Sequence, residues 1–86
     1  MGAREMSDTW LDQLASVQGT SALSEAEIES LLGVARDVAH RVERKVTPLA
    51  AFLLGMAVER RIAGGASRAA ALESAVAELE GLLPEE

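Results

Sequence analysis

The residues best equipped for chemistry crowd into one stretch: Arg36, Asp37, His40, Arg41, Glu43, Arg44 and Lys45. On a helix, at about 100° per residue, Arg36, His40 and Arg44 fall in one row. Two guanidiniums and an imidazole in a row suit an anionic group, such as a pterin or nucleotide phosphate or a carboxylate. Asp37 and Arg41 make the neighbouring row, an acid four residues ahead of a base, spaced for a surface ion pair. Metal binding is poorly served. His40 is the single histidine and there is no cysteine, so the usual nitrogen and sulfur ligand sets are missing. Nucleophilic catalysis needs a hydroxyl held against His40, but Thr47 and Ser67 stand where helix caps are expected. No catalytic residue, no metal and no cofactor is therefore expected. The plain alternative to an anion site is a solvated basic face.

Those residues need a helix to align them, and the periodicity supplies one. Ser24 and Glu27 have the spacing of a capping box. Apolar residues then recur at Ile28, Leu31, Leu32, Ala35, Val38, Ala39, Val42 and Val46, in steps that hold for five turns. This predicts a helix over 24–45, with His40 roughly 130° from the centre of its apolar stripe. Gly33 within it suggests the close approach of another helix.

Three further helices follow from the punctuation. One is predicted over 7–17, capped by Ser7 or Asp8 and carrying Trp10, Leu14 and Val17, before the break at Gly19-Thr20-Ser21. Another is predicted over 48–63, with Thr47 as cap, Pro48 in the first turn and Gly64-Gly65 at the end. The last is predicted over 67–82, with a stripe of Leu72, Val76, Leu79 and Leu83 flanked by Ala69, Ala71 and Ala75. Four amphipathic helices with short connections imply an all-α, antiparallel four-helix bundle with a short first helix, in a single domain over 1–86.

The third helix is unusual. From Leu49 to Val58 it is apolar on every face. It is about half the length of a membrane span, so no membrane partner is expected. Such a helix is covered by its neighbours, by a ligand or by a second chain. As plain core, Phe52 would be an anchor whose loss costs about 3–5 kcal/mol. As a subunit seam, Leu49, Phe52, Leu53 and Met56 are the candidate interface, and Gly55 leaves room for a partner backbone.

Charge narrows the partners further. The net charge is −6, but residues 30–70 carry +4 while residues 1–29 and 71–86 carry −5 each. The overall sign, with only Trp10 and Phe52 as aromatics, argues against nucleic acid as a partner. The start, MGAREMSDTW, has no apolar run behind a basic segment. With no cysteine, a cytoplasmic location is expected.

The stretch LLGVARDVAHRVERKVTPLAAFLLGMAVERRIAGG also resembles a small actinobacterial helical domain of unknown function. That family pairs a Trp-containing first helix with a helix reading roughly L-x-x-A-R-D-x-A-H-x-V and another opening P-L-x-x-F-L-x-G. The matching positions are Trp10, then Ala35, Arg36, Asp37, Ala39, His40 and Val42, then Pro48, Leu49, Phe52, Leu53 and Gly55. The family occurs alone or fused C-terminally to molybdenum cofactor guanylyltransferase-like proteins. The resemblance implies a link to molybdopterin-guanine dinucleotide biosynthesis. It does not bring the transferase activity, whose Gly-rich nucleotide loop is absent. The expectation is thus a non-catalytic interaction or accessory module. Its expected partners are a second copy of itself or a molybdenum cofactor guanylyltransferase-type enzyme. A small-ligand binder using Arg36, His40 and Arg44 is the alternative, and a purely structural homo-oligomer a further one.

Overall fold

A computed structural model of the chain describes residues 3–85, with side chains from residue 9 onward. The fold is all-α. The described residues form α1 (Ala3–Gln18), α2 (Glu25–Arg41), α3 (Thr47–Ala63) and α4 (Arg68–Leu82), with one 3-10 turn, Arg44–Val46, between α2 and α3. α1 begins at Ala3, so it is not short and Ser7 and Asp8 lie inside it; their side chains fall outside the described ones.

The capping box forms as the spacing predicts. The Glu27 amide donates to Ser24 Oγ at 3.1 Å, and the Ser24 amide donates to Glu27 Oε1 at 2.9 Å. α2 nevertheless stops at Arg41, short of Lys45. The amides of Val42 and Glu43 both donate to the Val38 carbonyl, and Glu43 then turns extended. A helix continued to Lys45 would leave only Val46 to reverse the chain before α3 begins at Thr47. Thr47 is helical and makes no side-chain cap; its hydroxyl is buried without a hydrogen-bond partner. Ser67 does cap α4, accepting from the Ala70 amide at 3.1 Å. Among the described residues, two glycines sit at positive φ, Gly19 (76°) leaving α1 and Gly65 (113°) leaving α3, where a side chain would be strained.

α3 and α4 make the closest helix pair, α2 packs on both, and α1 makes no close backbone approach to any of them. The centre is Val34 and Val38 of α2, Leu54 of α3, and Ala71, Ala75 and Val76 of α4. Ala71 is completely buried. The buried ridge of α4 is therefore alanine-led, with Leu72 and Leu79 half-buried beside it.

The two aromatic side chains lie outside the core, so the plain-core alternative for Phe52 does not hold. Phe52 is 69 % exposed and Trp10 is 59 % exposed. The reason is geometric. Leu54, Ala57 and Val58 point α3 toward its neighbours, and Phe52 lies on the opposite side of the helix. Nor does any helix press on Gly33 or Gly55, since a Cβ at either would meet nothing within 4 Å.

Two stability predictions follow from this packing. Ala71→Leu should overpack a site with no exposed surface and cost about 1–3 kcal/mol in chemical denaturation. An unchanged midpoint would contradict the tight alanine contact. Ser24→Ala should cost about 1 kcal/mol through the lost cap; a silent substitution would mean that the box contributes nothing.

Candidate functional site

The basic row does not stay together. Arg36 and His40 are exposed, one turn apart on the outer side of α2. Arg44 lies beyond the end of α2, in the 3-10 turn. Arg41 turns away from Asp37; its Nε donates to the Pro84 carbonyl at 2.9 Å and ties the end of α2 to the segment after α4. Among the described residues, no group of three His, Cys, Asp or Glu side chains could hold a metal ion. No helix among them is long and apolar enough to cross a membrane.

The strongest polar constellation lies elsewhere and was not read from the sequence. Arg68, the first residue of α4, forms a two-pronged pair with Glu27: Nε to Oε2 at 2.7 Å and Nη2 to Oε1 at 3.0 Å. Its remaining donors reach the carbonyls of Ser21 and Ala22 at 3.3 Å. One guanidinium thus fixes the start of α2, the start of α4 and the loop from α1. Burial pushes the Glu27 carboxyl up, but the Ser24 amide and the Arg68 guanidinium outweigh it and hold the group below its ordinary value of 4.5. Nearly all of the guanidinium's donors are used, so the pair is a clamp rather than an open anion site.

The apolar candidates come together. Leu49, Phe52, Leu53 and Met56 are 63, 69, 64 and 51 % exposed, all on the side of α3 away from Leu54. Their spacing of three, one and three residues makes one continuous stripe. None of the ten residues from Leu49 to Val58 is charged. Around the helix from this stripe, past Gly55 and Ala51, opens a cleft of about 600 Å³. Leu11 and Leu14 of α1 form one wall; Leu31, Leu32 and Val38 of α2 and Val58 of α3 form the others. The Glu27–Arg68 clamp closes one end.

Comparison with known proteins places the chain without assigning it chemistry. Residues 3–86 match the model of DUF6457, a domain of unknown function. The chain belongs to that family. No curated protein and no solved structure matches it. For this DUF6457 domain, the surface with the clearest physical signature is the bare stripe of α3.

The clamp makes a pH-dependent prediction. A carboxyl whose pKa is lowered by folding stabilises above its unfolded pKa, and that contribution is lost as pH falls through the folded value. Glu27→Gln keeps an acceptor for the Ser24 amide but removes the charge facing Arg68. It should cost about 1–2 kcal/mol near neutral pH, with the gap from wild type closing as pH drops below 4.5. Denaturation midpoints across that range would show it. A gap that is constant with pH would mean that the charge plays no part.

Proposed function

We propose that this chain is a non-catalytic interaction module, working through the apolar stripe Leu49, Phe52, Leu53 and Met56, and accessory to molybdopterin-guanine dinucleotide biosynthesis. The observation that supports the first part is the exposure of four large apolar side chains on one uncharged helix face. Contiguous apolar surface of this kind on a small domain marks a contact with another macromolecule. The cofactor link rests on the sequence resemblance to domains fused to guanylyltransferase-like proteins, and a guanylyltransferase-type enzyme is the protein the module would serve.

The chain's own cellular setting provides the test. Cells lacking the chain should contain several-fold less molybdopterin-guanine dinucleotide than cells carrying it. Restoring the wild type should recover the content. Restoring a Phe52→Ser, Leu53→Ser double variant should not, although the variant stays helical because both side chains are exposed. Equal content with and without the chain would remove the cofactor link. Full recovery by the double variant would remove the stripe as the working surface.

A further inference from the structure

We propose that the cleft between α1 and the other helices is a binding site for an uncharged, mainly apolar small molecule, an alkyl chain or compact ring ending in a hydroxyl or carbonyl. None of Leu49, Phe52, Leu53 and Met56 lines this cleft, so the site is independent of what the stripe contacts.

The first argument is the space itself. The cleft holds about 600 Å³, inside the range of small-molecule sites, roughly 300–1,000 Å³. Left to solvent, at about 30 Å³ per molecule, it would take on the order of 20 waters. The side chains of Leu14 of α1, Leu31 and Val34 of α2, and Leu54 and Val58 of α3 offer those waters no hydrogen bond. An apolar body that displaces them is favoured by the hydrophobic effect. A partner helix does not fit. At about 10 Å across and about 5.4 Å per turn it fills roughly 420 Å³ per turn, so the cleft would admit about one and a half turns.

The second argument is the wall. Gly55 lines the cleft from inside α3. A Cβ there would meet nothing within 4 Å. Alanine would therefore fit and would strengthen the helix. Ala51, one turn earlier, and Ala35 of α2 line the same cleft. These positions leave open a space that residues the size of Leu31 or Leu54 would close.

The third argument is charge. The charged side chains in the lining are Glu27, Glu59 and Arg68. Glu27 and Arg68 are spent on each other at 2.7 Å. Glu59 leaves the lining net negative, so a carboxylate or phosphate on the ligand meets repulsion and no cation free to pair with it. Ser21, whose carbonyl accepts from Arg68, and Thr20 beside it line the clamp end. Their hydroxyls suit a hydroxyl or carbonyl on the ligand.

The test is a titration of the intact, isotope-labelled chain with n-octanol, followed through its amide chemical shifts. Saturable shifts are expected at Leu14, Leu31, Val34, Gly55 and Val58, with none comparable at Leu49, Phe52 and Met56. Octanoate at neutral pH should bind about 10-fold more weakly or worse, because its charge must be desolvated. Gly55→Leu should weaken octanol binding about 10-fold or more, the order that methylene-sized changes in a pocket produce. The Phe52→Ser, Leu53→Ser variant should bind octanol as the wild type does. Should Gly55→Leu fail to fold, the wild-type shift map still locates the probe. Shifts that rise without saturating, shifts centred on the stripe, or octanoate binding as tightly as octanol would overturn the proposal.

Discussion

The structure turns on the contact between the alanines of α4 and one edge of α3. Ala75 is almost wholly buried in one cluster with Leu54 of α3, and a small side chain there permits the close pairing of α3 with α4. Close approach brings many atoms into contact at little entropic cost, since alanine has no rotamers to lose. It also covers a narrow strip. A helix is about 10–12 Å across with its side chains, and a neighbour on one side leaves the other bare. α2 covers the flank of α3 that carries Leu54 and Val58, and α1 approaches no other helix closely. The bare stripe of large residues is thus the geometric consequence of a core built from small ones.

Two clamps fix the direction of the helices around that contact. Glu27 with Arg68 joins the beginnings of α2 and α4, and Arg41 with the Pro84 carbonyl joins their ends. α2 and α4 therefore run the same way, and α3 returns between them. The Arg61 guanidinium adds a third tie: it bends back toward the Ala57 carbonyl and pairs with Glu78 at 2.7 Å. Polar contacts hold the rim where apolar contacts are few. Their individual contributions are modest, because all three reach partly exposed partners. Their value is register, since each guanidinium finds its acceptors in only one arrangement.

Much of this was legible in the sequence, for identifiable reasons. Ser24 with Glu27, Pro48, Ser67 and Gly64-Gly65 act through local chemistry, so the helices they bound could be read directly. Phe52 could not be placed, because a segment apolar on every face has no periodicity to say which side turns inward. The α4 ridge was hidden for a related reason. Leucines dominate any hydrophobic stripe by size, yet the positions buried most deeply are the alanines that permit close approach. The Arg36–His40–Arg44 row assumed a helix through Lys45, and the chain reversal needed before Pro48 takes Arg44 out of it. Arg68 was invisible as a clamp because its partner lies 41 residues away. Its one local clue was a base at a helix start, where the dipole disfavours it unless an acid is near.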